Sequence, residues 1–178
     1  RQLGGPRFTR LRMYWVAFAL AAITTVLGGW GTIGVREFVL LGASGIIGLA
    51  LGDAALFTAF AIIGPRRISI LFATNAPMTA VASAVIFGER FDARSLTGAA
   101  AVMIGVVLAI AFGTRPGQTH QWEQIRGSLV VGVGFGLLGA AGQSAGVLLA
   151  DPAFEGSSEL SPWAGAAVRA IVGLAALV

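Results

Sequence analysis

The sequence contains no cysteine, no lysine and only one histidine among its 178 residues. Without cysteine the chain can form no disulfide, no thiolate nucleophile and no cysteine-ligated metal site. The single histidine, His120, lies in a polar stretch, so a histidine-cluster metal site is excluded as well. We therefore expect neither a metal nor a cofactor.

Charged residues are also scarce, at 11% of the chain, whereas a soluble domain has about 25%. Hydrophobic residues make up 56%, and the mean hydropathy is +0.85. This composition excludes a soluble domain. The net charge of +4 comes from arginines placed singly or in small groups between apolar runs, a pattern that does not indicate a nucleic-acid partner.

Long apolar runs predict membrane-spanning helices, since a span needs about 20 predominantly apolar residues. Four runs contain no Asp, Glu, Lys or Arg, and two others contain a single charge, Asp53 or Arg169. We expect a fragment cut at both ends, because the chain opens on Arg1 and its last run stops with it. The predicted segments are 13–35, 38–65, 68–88, 95–114, 127–150 and 160–178.

The connections between these segments are short except for 115–126, which we predict to be a linker between two halves. When loops are assigned alternately to the two sides, eight arginines fall on one side and three on the other. The arginine-rich side is expected to face the cytoplasm. The chain is therefore predicted to be a multi-pass protein of the cell membrane, either inner or plasma.

Asp53 lies about midway along the second predicted segment, within GIIGLALGDAALFTAF. A carboxylate at that depth is costly unless it is paired, protonated or exposed to water, and such residues are commonly functional. We predict that Asp53 binds substrate or a coupling ion. The alternative is a carboxylate that a neighbouring helix satisfies for structural reasons alone.

In the third segment Asn75, Thr79 and Ser83 are spaced by four residues, which places them on one helix face. Beside them, Pro77 removes an amide donor and frees the carbonyl of Ala73. Transporters build midplane sites from polar side chains beside broken helices. Asn75 and Thr79 are therefore predicted to bind substrate or a coupling ion, and Pro77 to break the helix. The alternative is an interhelical hydrogen bond beside a simple kink.

Gln143 is the fourth predicted site residue, because its amide offers both donors and an acceptor within an apolar segment. Its alternative role is a hydrogen bond that joins two helices. Small residues form one face on each of two segments, and we expect these faces to pack closely against other helices. They are Gly45, Gly48, Gly52, Ala55 and Ala59 in one segment and Gly132, Gly136, Gly139 and Gly146 in the other.

Enzymatic motifs are missing from the sequence. It holds no HExxH, no GxxxxGK[ST] and no intramembrane serine with a histidine partner. Aspartyl chemistry within the membrane would need two aspartates, and Asp53 is the only one in the predicted segments. We predict that the protein is not an enzyme.

The run 44–109 resembles part of an EamA repeat of the drug/metabolite transporter superfamily. Its features are a Gly-rich helix (SGIIGLALGDAALFTAFAIIGPRR), a Pro-containing helix that closes with FGER, and a helix LTGAAAVMIGVVLAI with Gly98 and Gly105. The resemblance implies an all-α polytopic membrane protein whose helical bundle is built from two inverted five-helix repeats, truncated here at both ends. It also implies cytoplasmic termini, opposite to the orientation that the arginine count predicts.

On that template residues 1–114 form most of a first repeat, 115–126 the linker and 127–178 the start of a second repeat. Arg169 then corresponds to Arg12, in RAIVGLAALV and RMYWVAFAL respectively. The first functional hypothesis is a secondary transporter, an exporter or exchanger of small metabolites by alternating access. The alternative is a membrane-embedded interaction or assembly subunit. The expected partners are a small-molecule substrate and the lipid bilayer, with a homodimer left open and nucleic acid excluded.

Overall fold

The structure, a computed structural model, describes residues 5–112, 126–157 and 159–178. Every regular element in these residues is helical, as the sequence predicts. Most of the predicted linker, 115–125, lies outside the described residues. The elements are α1 (Gly5–Val26), a 3-10 turn (Gly29–Thr32), α2 (Val35–Ser44), a π segment (Gly45–Gly52), α3 (Asp53–Ile63), α4 (Pro65–Phe72), α5 (Asn75–Phe87), α6 (Ala93–Phe112), α7 (Leu129–Glu155) and α8 (Pro162–Ala175).

The first helix ends earlier than its apolar run predicts. The run continues to Val35, but α1 stops at Val26. Gly28 adopts a φ of 69°, a left-handed conformation that ends a helix and that glycine adopts without steric cost. Apolar composition alone could not locate this end, because glycine also counts as compatible with a membrane span.

The second apolar run folds as one continuous helix of 29 residues, Val35–Ile63, made of α2, the π segment and α3. We call it the central helix. Its π segment has a wider turn than an α-helix, a feature that is frequent at functional sites. Asp53 is the first residue after this wide turn. The helix ends at Gly64, whose φ is 83°, and Pro65 begins α4.

The third apolar run is divided into α4 and α5 by a turn at Ala73 and Thr74. In this turn the N–H groups of both residues bond carbonyls three residues earlier, at 3.1 and 3.0 Å. Pro77 follows one turn later and has no N–H with which to bond the carbonyl of Ala73. The interruption therefore lies where an α-helical hydrogen bond is missing.

Helix α6 begins with a side-chain cap. Asp92 accepts hydrogen bonds from the Ser95 N–H group at 2.9 Å and the Ser95 hydroxyl at 2.7 Å. These bonds satisfy free donors in the first helical turn. They also lower the pKa of the Asp92 carboxyl, and the bond from the hydroxyl is the larger cause. Asp92 thus fixes the start of α6 outside the spans.

The centre of the bundle lies between the central helix and α7. On one side α8 packs against α1, α2 and the π segment, and on the other α4 and α5 pack against α7. Helix α6 packs against α4 and α5. The buried apolar side chains form two clusters, one with Leu41, Ala150, Ala153, Leu160 and Val168 and one with Ala59, Ile63, Ile68, Leu71 and Val106.

The central helix and α7 meet along four glycines, Gly48 and Gly52 on the π segment and Gly142 and Gly146 on α7. We call them the glycine seam. A Cβ atom added at Gly142 would lie 2.9 Å from the Cα of Gly52, and one added at Gly146 would lie 2.8 Å from the Cα of Gly48. The two backbones are therefore in direct contact. Gly48, Gly52 and Gly146 belong to the predicted small-residue faces and do pack closely against another helix, whereas Gly142 was not in the predicted set.

Three helices in the described residues are long and apolar enough to cross a membrane: Val35–Ile63, Pro65–Phe87 and Leu129–Glu155. Ala93–Ala109 and Pro162–Ala175 are shorter apolar helices. Large apolar side chains cover the outside of the bundle, and some are almost fully exposed. Such a surface is stable against lipid and unfavourable in water.

Candidate functional site

Asp53 lies at the middle of the bundle, where the π segment passes into α3. Its side chain is 5% exposed, and among the described residues it is the only charged residue in the buried core. A carboxylate removed from water needs an opposite charge or hydrogen-bond donors to remain ionised. The structure supplies both, from two other helices.

The two carboxylate oxygens of Asp53 have different partners. Gln143 on α7 donates a hydrogen bond from Nε2 to Oδ1 at 2.8 Å, and the guanidinium of Arg12 on α1 donates to Oδ2. The guanidinium carbon of Arg12 also lies 5.3 Å from the centre of the Phe57 ring, a cation–π contact. Three helices are thus joined at one carboxylate.

The glycine seam explains how Gln143 reaches Asp53. A Cβ atom at Gly52 would lie 3.3 Å from the backbone nitrogen of Gln143, so even a methyl side chain would be tightly packed between these helices here. Because the backbones touch at Gly52 and Gly142, the short amide side chain spans the remaining distance to the carboxylate. The seam therefore sets the geometry of the hydrogen bond.

Asn75, Thr79 and Ser144 form a second polar cluster, between α5 and α7. The Oδ1 atom of Asn75 accepts hydrogen bonds from the Ser144 hydroxyl at 2.7 Å and the Thr79 hydroxyl at 3.0 Å. Ser144 is 4% exposed. The Nδ2 group of Asn75 has no hydrogen bond to another described residue.

A cavity of about 560 Å³ lies beside this second cluster, between α2, α5 and α7. Its volume is typical of sites for small molecules. Ser144 is its one hydroxyl-bearing lining residue, and the remaining lining is almost wholly apolar. The lining residues are Leu40, Met78, Ala82, Ile86, Phe87, Ala141, Ser144, Ala145, Leu148, Leu149 and Pro152.

The structure separates the predicted site residues into two groups. Asp53 and Gln143 are hydrogen-bonded to each other, whereas Asn75 and Thr79 lie in the second cluster. Helix α7 links the groups, since Gln143 faces α3 and its neighbour Ser144 faces α5. Successive residues of an α-helix point about 100° apart, which is why adjacent residues serve different sides.

Two residues of these groups were missed by sequence reasoning. Arg12 was assigned to a polar loop and compared only with Arg169, although it directly precedes an apolar run and is the counter-ion of Asp53. Ser144 was not singled out, although it directly follows Gln143 in an otherwise apolar helix. Arg12 could have been found from the need of a buried Asp53 for a cation. Ser144 could have been found because it forms a polar pair with Gln143 in an apolar segment.

Within the described residues no group of three or more His, Asp and Glu side chains is placed to hold a metal ion. The two polar clusters consist of hydrogen-bonding groups and of the ion pair between Arg12 and Asp53. Each lies between helices and not within one, so a change in helix packing would alter its hydrogen bonds.

Comparison with known proteins gives one match. The model of the EamA-like transporter family matches residues 2–111, which include Arg12, Asp53, Asn75 and Thr79. No curated protein and no solved structure matches the chain. The match confirms the family resemblance and, together with the apolar helices, the prediction of an all-α polytopic membrane protein. Since the matched region is well over half of the sequence, the chain belongs to the EamA-like transporter family.

Proposed function

We propose that this protein is a secondary transporter of the inner or plasma membrane, which exports or exchanges small metabolites by alternating access. The observation that carries the proposal is the buried carboxylate of Asp53, bonded to Arg12 on one helix and Gln143 on another. An ionisable residue that joins several spans is typical of the coupling sites of transporters.

In the proposed mechanism Asp53 is the coupling residue. While the carboxylate is ionised it holds Arg12 and Gln143, so α1, α3 and α7 are tied together. A proton or a substrate cation that neutralises the carboxylate removes its attraction for Arg12. Loss of this attraction favours the opposite access state of the alternating-access cycle. The bond network thus links occupancy of one site to the packing of three helices.

The cavity between α2, α5 and α7 is the proposed substrate site. The Ser144 hydroxyl donates to Asn75 and can accept a hydrogen bond from one polar end of a molecule, and the apolar lining accepts the remainder. This division favours small amphipathic metabolites. Thr79 holds the Asn75 side chain in position, and Pro77 permits a bend between α4 and α5.

The domain arrangement follows the same proposal. Residues 1–114 form most of the first repeat, 115–126 the linker and 127–178 the start of the second repeat. The family consists of transporters, and we propose no enzymatic activity and no nucleic-acid partner for this chain. A homodimer stays open.

A flux assay with the full-length protein tests the proposal. Proteoliposomes loaded with a panel of radiolabelled amino acids, sugars and amphipathic amines first identify a compound whose efflux depends on the protein. The variant Asp53→Asn is then expected to slow that efflux about tenfold or more, a loss of about 1.4 kcal/mol or more in the barrier.

Asp92→Asn is the matched control, since it changes an exposed aspartate outside the spans and asparagine also caps helices. Its efflux should equal that of the wild type. Wild-type efflux by Asp53→Asn would remove Asp53 from the mechanism. If no compound shows protein-dependent flux, an interaction or assembly subunit becomes the better hypothesis.

A further inference from the structure

Arg169 lies in α8 with its guanidinium against the central helix. Its Nε atom is buried and has no hydrogen-bond partner among the described residues. A Cβ atom added at Gly48 would lie 3.8 Å from the Nη2 atom of Arg169, which places the end of the side chain beside the π segment. A buried, unbonded donor on a charged group is unfavourable, so it requires an explanation.

Close backbone packing fixes the position of Arg169. A Cβ atom at Gly45 would lie 2.2 Å from the Arg169 carbonyl oxygen, and one at Gly173 would lie 2.9 Å from the Gly45 carbonyl oxygen. Helix α8 therefore rests on the π segment without intervening side chains. The end of the Arg169 side chain therefore lies next to Gly48. Gly48 precedes Asp53 by five residues in the central helix.

The charges around the central helix are not balanced. Arg12 is paired with Asp53, whereas Arg169 forms no ion pair or hydrogen bond with another described residue. The only other ion pair in the described part of the chain joins Arg36 and Glu37, at 4.0 Å. Two arginines thus flank a helix that carries one buried carboxylate. An anion beside Arg169 would restore neutrality.

We propose that Arg169 binds an oxyanion of a small metabolite, a carboxylate or a phosphate, on the α8 side of the central helix and apart from the cavity between α2, α5 and α7. The planar guanidinium matches both groups, because two of its N–H donors can bond two oxygens of one anion. Calling this anion a substrate group rests on the proposed transport function, but its binding does not require transport and can be measured separately. A lipid phosphate has the same chemistry and is the competing source.

Thermal unfolding of the full-length protein in an uncharged detergent tests anion binding. Sodium phosphate or sodium acetate, compared with sodium chloride at equal ionic strength, should raise the unfolding temperature of the wild type by about 2–4 °C. Arg169→Gln should abolish this rise, and Arg169→Lys, which keeps the charge but loses the fork, should retain only part of it. Arg94→Gln, an exposed arginine in the first turn of α6, should respond as the wild type does.

A second measurement uses chloride alone. Arg169→Gln should then unfold at a temperature no lower than that of the wild type, because the Nε donor that it removes is buried and has no partner among the described residues. A lower unfolding temperature would show that Arg169 has a partner within the protein and would overturn the proposal. An equal anion response in Arg169→Gln and wild type, or no response in the wild type, would also overturn it.

Vesicles separate the two sources of the anion. Wild-type protein in phosphatidylcholine vesicles should be stabilised by added phosphate or acetate, with no need of an anionic lipid. If stabilisation appears only when phosphatidylglycerol is included, and Arg169→Gln removes it, Arg169 binds a lipid and the assignment to substrate is wrong. None of these results depends on flux, so the transport proposal can fail or succeed independently.

Discussion

The ion pair between Arg12 and Asp53 is desolvated unequally at its two ends. The Asp53 side chain is 5% exposed, whereas that of Arg12 is 42% exposed. Arg12 can therefore be solvated when it is released, but Asp53 cannot be ionised in the same place without a partner. Loss of the ion pair therefore affects the ionisation of Asp53 more than that of Arg12.

A double-mutant cycle measures this pair at the level of the two residues. Arg12→Gln and Asp53→Asn should each lower the free energy of unfolding by about 1–3 kcal/mol. This loss is smaller than that for breaking a fully buried ion pair, because Arg12 is partly exposed. The double variant should lose less than the sum of the two, since neither charge remains without its partner. Thermal unfolding in detergent gives these values. Additive losses would show that the pair contributes no coupling.

At the scale of the helices, the central helix and α7 are in direct backbone contact at the glycine seam, whereas side chains such as Ile63 pack against α7 further along. Gly48, Gly52, Gly142 and Gly146 allow this contact, and the polar bond from Gln143 lies directly beside it. Small residues at such an interface let van der Waals contacts and interhelical hydrogen bonds form together. Packing and polar bonding at this interface are therefore not independent.

Alanine substitutions in α7 test the seam. Gly142→Ala places a Cβ atom 2.9 Å from the Cα of Gly52 and should destabilise the protein by about 1–3 kcal/mol. Gly134→Ala is a matched control on the same helix, because a Cβ atom there meets nothing within 4 Å. Its effect should stay within about 0.5 kcal/mol. Similar unfolding temperatures for the two variants would contradict the close packing at Gly142.

At the scale of the whole molecule, the outer surface and the cavity are both apolar but differ in what they contact. Outward-facing side chains such as Val107, 61% exposed, are suited to lipid. The cavity between α2, α5 and α7 has Ser144, the hydrogen-bond partner of Asn75, in its lining. If the cavity is part of a transport pathway, water must reach its lining, whereas the outer surface remains in contact with lipid.

Single cysteines can test this difference, because the chain contains none of its own. In membranes, Ala82→Cys and Ala145→Cys should react with a charged, water-soluble thiol reagent, since both positions line the cavity. Ala101→Cys, exposed on α6, should react at least about tenfold more slowly than the two cavity positions. A thiolate is disfavoured in the apolar surroundings of the outer surface. Equal, slow labelling at all three would indicate a dry bundle and favour an assembly subunit over a transporter.

Sequence patterns predicted the helices and most of the polar residues, but not which of these residues meet. Periodicity places residues on a face of a helix, and it identified Asp53 and Gln143 correctly as polar residues inside apolar runs. Their bond joins positions 90 residues apart, and that of Arg12 to Asp53 spans 41. Such pairings depend on how helices pack, which no local pattern contains. Arg12 was missed for that reason.

Helix ends were predicted less well than helix positions. The end of α1 depends on the left-handed conformation of Gly28, and hydropathy does not distinguish this glycine from those of the seam. The grouping of Asn75 with Ser144 instead of Asp53 depends on the rotation of α7 about its own axis. Residue composition determines neither the conformation of Gly28 nor the rotation of α7.

The glycine seam also limits the kind of motion that the bundle can make. Where side chains interlock, one helix moves past another only in steps, since each ridge must leave one groove and enter the next. The contact of Gly48 and Gly52 with Gly146 and Gly142 has no side-chain ridges at these points. At the seam itself, a small sliding displacement of one helix along the other would meet no side-chain ridge, and it would change the distance between Asp53 and Gln143.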